Sequence, residues 1–157
     1  MQGPIVPNQV EVYFSPKGGA TEAIVREINR AKKSIHVQAY SFTSPTIAKA
    51  LVEAKRRGLK VEILVDKSQR SEKYTEADFT AHAGISTFID DGHAIAHNKL
   101  MILDEETVIT GSFNFTRSAE ERNAENVLIL SKTPALARKY MDNWHAHRKH
   151  SEPYAGR

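Results

Sequence analysis

Between Ile95 and Thr116 the chain gathers the residue types that phosphate chemistry uses. His97 and Lys99 stand two apart, Asp104 follows five residues later, and Gly111, Ser112 and Asn114 come after it. A histidine with its ordinary pKa of about 6.5 offers a nucleophilic lone pair at working pH. A lysine ammonium neutralises phosphoryl oxygens as a point charge, and amide or hydroxyl groups donate hydrogen bonds to them. Together these are the parts needed to open a phosphodiester. In an extended chain, residues two apart share a face at about 6–7 Å. His97 and Lys99 can therefore reach two parts of one phosphate.

The apolar run Leu100 to Leu103 and the β-rich run Thr107 to Thr110 flank Asp104-Glu105-Glu106, which predicts a β-hairpin. With Glu105-Glu106 as a two-residue tip, Lys99 falls opposite Ser112 and His97 opposite Asn114. Such pairs share a face at about 4.5–5.5 Å. A loop of odd length would shift this register by one and separate the group. Asp104 has odd parity relative to His97, so it is expected to tie down the hairpin turn, not to act as an acid or base. Asn98 should face away from the phosphate by the same parity.

The pattern His97-x-Lys99-x-x-x-x-Asp104 with Gly111-Ser112-x-Asn114 resembles the HKD motif of the phospholipase D superfamily, and every motif position is filled. The segments AYSFTSPTIAKALVEAKRRG (39–58), GSFNFTRSAE (111–120) and NAENVLIL (123–130) resemble the same family, so the likeness covers nearly the whole chain. It is strongest to the family's small bacterial endonucleases, which carry one motif per chain and work as homodimers. The resemblance implies a phospholipase D-like fold and a metal-independent, cofactor-free phosphodiesterase. The expected activity is a sequence-nonspecific endonuclease on DNA, with RNA an allowed substrate. His97 would form a covalent phosphohistidine, and a second histidine would protonate the departing oxygen and then activate water. One motif per chain makes a two-fold dimer the economical source of that second histidine. Glu125 matches the glutamate with which the family holds the histidine tautomer.

The elements that must position these residues read as an α/β domain over residues 10–157, behind an N-terminal arm at 1–9. Strands are predicted at 10–14, 35–39, 61–65, 86–89 and 126–130 besides the hairpin. Helices are predicted from Thr21, from Ser44-Pro45 to Gly58, over 71–84, and from Thr133-Pro134 onward, with 116–123 a charged connection. The sum is a mixed β-sheet flanked by helices on both faces.

At 157 residues and 40% hydrophobic, the chain suffices for one core. Its formal charge of +3 is unevenly spread: residues 22–70 hold eleven Lys/Arg against five Asp/Glu, and residues 72–106 two against eight. Lys55, Arg56, Arg57 and Arg117 are expected to track a nucleic-acid backbone. The absence of cysteine excludes a disulfide framework and a cysteine-based zinc site. MQGPIVPNQ lacks the basic start and apolar core of a signal peptide, as would a periplasmic or secreted chain after removal of its signal, or a cytoplasmic one.

For a lone histidine, a surface or packing role is the commoner explanation, and His36, His82 and His93 are read that way. His147 is expected to pack, and His145 and His150 to be solvated. A metal site from His93, His97 and Asp104 has no supporting spacing. Two other functions stay open: a lipid phosphodiesterase of the phospholipase D type, disfavoured by the lack of a membrane-docking segment, and a non-catalytic nucleic-acid-binding module.

Overall fold

The sheet is assembled from strands whose side-chain alternation feeds two separate cores. The structure, a computed structural model, describes residues 3–157, and the first two residues of the expected arm lie outside them. Strands β1 (Gln9–Phe14), β2 (Ser34–Ala39), β3 (Lys60–Asp66), β4 (Ser86–Asp90), β5 (Leu100–Leu103), β6 (Thr107–Gly111), β7 (Asn126–Ser131) and β8 (Glu152–Pro153) join in the order β1-β7-β6-β5-β2-β3-β4-β8. β2, β3 and β4 run parallel, and the remaining pairs are antiparallel. Five helices accompany them: α1 (Ala20–Arg30), α2 (Pro45–Arg56), α3 (Ala77–His82), α4 (Arg117–Glu121) and α5 (Pro134–His150).

One face of the sheet carries Ile35, Val37, Ile63, Met101, Ile109 and Ile129, packed with Ile24 and Ile28 of α1 and Ile47 and Leu51 of α2. The opposite face carries Leu64, Phe88, Leu100, Ile102 and Val108 against Ala137, Met141 and Trp144 of α5. Each such side chain contributes about 1.5–3 kcal/mol when fully buried. The central strands β2 and β5 are buried along their whole length, as strands covered on both faces must be. Trp144 also donates its indole N–H to the Val37 carbonyl at 3.0 Å, which pins α5 to β2. The mixed, helix-flanked sheet expected from the sequence is the one observed.

Local differences have identifiable causes. The helix expected over 71–84 is confined to Ala77–His82, preceded by a 3-10 turn at Lys67–Arg70. Residues between them are diverted into other bonds: buried Gln69 accepts from Phe42 N–H and the Thr75 hydroxyl, and Glu76 N–H donates to the Phe42 carbonyl. The charged connection contains α4, capped by Thr116, whose side-chain oxygen accepts from Ala119 N–H at 3.0 Å. After α5, the short β8 pairs with β4.

The hairpin register overturns the expected one. Leu103 pairs with Thr107 and Leu100 with Thr110, so Asp104, Glu105 and Glu106 make a three-residue loop. Asp104 and Glu105 both take left-handed backbone, at φ 55°. The odd loop moves the pairing by one residue, and Lys99–Ser112 and His97–Asn114 are not direct partners.

Candidate active site

Pairing between β5 and β6 ends at Leu100 and Thr110, just short of the residues expected to do chemistry. His97 and Lys99 lie on the extended segment that enters β5, beside the exit of β2. Lys99 Nζ stands 3.1 Å from both His97 Nδ1 and Nε2, so its ammonium can donate to whichever nitrogen bears the lone pair. His97 is exposed and Lys99 half-buried. Burial holds the Lys99 pKa below its ordinary value, and the charge of Glu125 partly opposes that shift.

Tyr40, the residue after β2, was not foreseen as part of this group. Its ring meets the His97 ring edge-on at 4.7 Å, and the Lys99 ammonium lies 5.8 Å from its centroid. The tyrosine therefore limits the orientations of both side chains. Asn98 points to the neighbouring strand, donating to Gln38 Oε1 at 3.0 Å, as parity required.

Beyond Gly111 the chain leaves the hairpin. Gly111 takes φ 153°, and a Cβ there would come within 2.2 Å of the Asn126 carbonyl oxygen, so no side chain fits. That close approach lets Ser112 N–H donate to Asn126 O at 3.1 Å and Ser112 Oγ accept from Asn126 N–H at 3.1 Å. Ser112 thus locks the exit of β6 to the start of β7, next to Glu125. Residues 113–116 then pass the end of β2, where Phe115 bridges Phe42, and the Phe115 carbonyl accepts from Thr43 and Ser44 N–H. Phe113 and Phe115 are buried anchors, as expected. The Asn114 amide oxygen is buried and has no hydrogen-bond partner among the described residues.

Glu125 does not bond His97 within the chain. Its carboxylate accepts from Asn123 Nδ2 at 3.2 Å, and its backbone N–H donates to Ser15 Oγ at 3.1 Å. Its charge acts on Lys99 instead. Asp104 lies at the far end of β5. Its carboxylate accepts from the backbone N–H groups of Lys32, Lys33 and Ser34 at 2.7–3.1 Å. It clasps the turn from α1 to β2 as well as its own loop, far from His97 and from His93, so no metal site joins those three.

The basic residues divide between the two ends. α2 starts beside Phe115 and runs 12 residues, or roughly 18 Å, away from it. Lys55, Arg56 and Arg57 at its C-terminus are therefore on the side opposite His97, which corrects their expected role. Arg57 donates to the Ile28 and Ala31 carbonyls and caps α1. Arg117 remains on the His97 side, in a groove with Thr43, Lys73, Tyr74 and Ser118. Lys73 and Tyr74 were missed because their stretch carries net negative charge.

Comparison with known proteins decides the family. The family model described as "Cardiolipin synthase, PLD-like domain" matches residues 24–147, which include the whole His97–Glu125 region. The chain belongs to the phospholipase D superfamily. It is a phosphodiesterase of that superfamily. It is 43% identical over 140 residues to "Phospholipase D" of Rickettsia felis, covering 89% of this chain and 70% of that protein. It is 30% identical over 110 residues to "Mitochondrial cardiolipin hydrolase" of Mus musculus, covering 70% of this chain and 50% of that protein. Among solved structures, the phospholipase D family member Nuc from Salmonella typhimurium superposes with a TM-score of 0.90 at 38% identity, over 93% of this chain and 97% of that one. NucT from Helicobacter pylori shares the fold, with a TM-score of 0.84 at 21% identity over 93% and 99% of the two chains. Among the described residues, no helix is long and apolar enough to cross a membrane.

Proposed function

We propose that this phosphodiesterase is a metal-independent, sequence-nonspecific endonuclease on DNA that works as a homodimer. The observation that carries the reading is exposed His97 with the half-buried Lys99 ammonium 3.1 Å from its ring nitrogens, at the same end of the sheet as a groove lined by Lys73, Tyr74, Glu76 and Arg117. Lys73 and Arg117 against the single carboxylate of Glu76 leave the groove net positive, which suits a phosphodiester backbone, and exposed Tyr74 offers a face on which a base can stack.

In this reading a His97 nitrogen attacks phosphorus, a P–N bond forms, and the P–O bond to the leaving strand breaks. His97 of a second copy gives its proton to the departing oxygen. It then takes a proton from water, whose oxygen displaces the first His97 and frees the 5′ or 3′ phosphate. Lys99 and Asn114 stabilise the phosphoryl oxygens, Ser112 holds the β6–β7 junction, and Asp104 anchors the far end. A second copy has a place to dock. Edge strand β1 exposes Val10, Val12 and Phe14 on one face, and Phe14 pairs with Asn126, the residue bonded to Ser112. That stripe runs directly to the His97 end, so an isologous contact along it would bring two sites together.

The relatives named phospholipase D and cardiolipin hydrolase favour a second reading, a lipid phosphodiesterase, in which the same apolar stripe would face lipid. The deciding experiment offers supercoiled plasmid, and separately cardiolipin or phosphatidylcholine vesicles, to the native chain and to His97→Ala in excess EDTA, with circular dichroism to verify that both stay folded. Plasmid nicking by the native chain alone is expected. Vesicle hydrolysis without nicking would establish the lipid reading, and DNA binding without turnover would establish a binding module. Nicking lost in EDTA and restored by Mg²⁺ would overturn the metal-independent mechanism.

A further inference from the structure

At the end of β4, away from the His97–Lys99 pair, four chemistry-bearing side chains meet around a buried carboxylate. Asp90 is 2% exposed. Its Oδ2 lies 2.7 Å from His147 Nδ1, and its Oδ1 lies 2.9 Å from His150 Nε2 and 3.4 Å from His93 Nδ1. One donor atom from each of the four residues lies within 4.8 Å of all the others. His147 and His150 stand one turn apart on α5, so they present the same face. Gly92 makes room for them: a Cβ there would come within 2.7 Å of the His150 ring, and its N–H donates to Asp90 Oδ1 at 3.0 Å.

We propose that Asp90, His93, His147 and His150 form a binding site for a divalent transition-metal ion of the zinc type. Three imidazole nitrogens and one carboxylate oxygen are a donor set that zinc takes in tetrahedral geometry. Bond lengths of about 2.0–2.2 Å place neighbouring donors of such a site about 3.3–3.5 Å apart. The observed separations straddle that value, so small side-chain rotations admit the ion. One carboxylate suffices to hold the tautomer of one imidazole; three imidazoles converging on the same buried carboxylate exceed that need. Calcium and magnesium, which call for six or more oxygen donors, do not fit.

The site joins two distant parts of the chain. His147 and His150 belong to the end of α5, whereas Asp90 and His93 flank the start of the segment that continues through His97 into β5. Lys67 holds that segment from outside, its ammonium donating to the His93 carbonyl at 3.0 Å. A cavity of about 10 Å³, lined by Asp90, His147, Ala96 and Asn98, separates the cluster from the base of the His97 segment. A bound ion would brace this segment against α5 without touching the phosphate. The site was not legible beforehand because Asp90 and its two helical histidines are 57 and 60 residues apart.

The test uses Zn²⁺ alone, with no substrate. Native chain, His97→Ala and the double variant His93→Ala/His150→Ala are equilibrated with Zn²⁺, dialysed and assayed for metal per chain, and affinities are read by competition with a chromophoric chelator. The side chains of His93 and His150 are 44% and 40% exposed, so their removal leaves the core closed. The expected result is one zinc per chain in the native protein and in His97→Ala, with a rise in Tm. The double variant should bind more weakly by at least the roughly 10–100-fold seen on losing an outer partner of a metal ligand. Should the double variant fail to fold, His150→Gln alone is read in the same way. Failure of the native chain to retain zinc, binding undiminished in the variant, or binding abolished by His97→Ala would each overturn the proposal.

Discussion

The two ends of the family motif are built on opposite plans. At one end Asp104 is saturated, its two oxygens taken up by three consecutive backbone N–H groups. At the other end exposed His97 and half-buried Lys99 are bonded to each other, and Asn114 keeps a buried amide oxygen with no partner among the described residues. A carboxylate held by three backbone N–H groups contributes rigidity at its own end of the strand. A partly exposed pair with unused hydrogen-bonding capacity has the opposite character. The motif thus spans β5 with an anchor at one end and a reactive pair at the other, and residues conjoined in one sequence pattern need not share one task.

That contrast can be tested by moving the two quantities independently. The largest expected effect is on turnover: His97→Ala should lower kcat about 10⁴-fold or more while leaving Tm within a degree or so of native. A parallel loss in Asp104→Ala, measured per folded molecule, would break the distinction between the ends. Replacing Val12 and Phe14 together by lysine should next separate the copies, seen as a halved mass in sedimentation or light scattering. Turnover should fall about 10²-fold or more if leaving-group protonation needs a second chain. A fully active monomer would remove the shared-site mechanism.

Asp104→Ala itself should cost about 2 kcal/mol of stability in urea unfolding, because three N–H groups lose their acceptor, with kcat of the folded fraction kept. The reactive end has a pH signature of its own. Burial keeps the Lys99 pKa below 10.5, so the cation, and the rate that depends on it, should be lost as pH rises through that lowered value. Lys99→Arg should carry the alkaline limb to higher pH, at a cost of roughly 10–100-fold in rate from its different geometry. A limb that does not move would assign the titration elsewhere. The smallest effect concerns the groove: Lys73→Ala/Arg117→Ala should reduce the slope of log affinity for DNA against log salt by about two. Lys55→Ala/Arg56→Ala, at the far end, should leave the slope unchanged.

How much of this was legible beforehand depends on the range of the interaction responsible. Apolar runs such as Leu100–Leu103 and Val127–Leu130 marked strands, and Ser44-Pro45 marked a helix start that Ser44 does cap, accepting from Ile47 N–H at 3.3 Å. The basic run Lys55-Arg56-Arg57 misled because a helix C-terminus attracts cations for its own stability, whatever the substrate. Arg57 serves that local role on α1. Tyr40 escaped notice because nothing in its own segment reveals that His97 will pack on it. The hairpin loop was one residue longer than supposed, since Asp104 bonds backbone 70 to 72 residues earlier and is held out of the strand.

By itself the sequence determined the family, through the likeness of its motif and flanking segments, and the mixed sheet between two helical layers and the pairing of His97 with Lys99, through residue spacing and local periodicity. Tertiary structure alone decided the register past Gly111, the engagement of the Glu125 carboxylate by Asn123, the side of the molecule on which each cation lies, and the meeting of Asp90 with His147 and His150. Those features depend on where distant segments come to rest when two apolar faces are buried on opposite sides of one sheet. Hydrophobic burial is non-directional and sums over the whole chain, so no local pattern encodes its outcome.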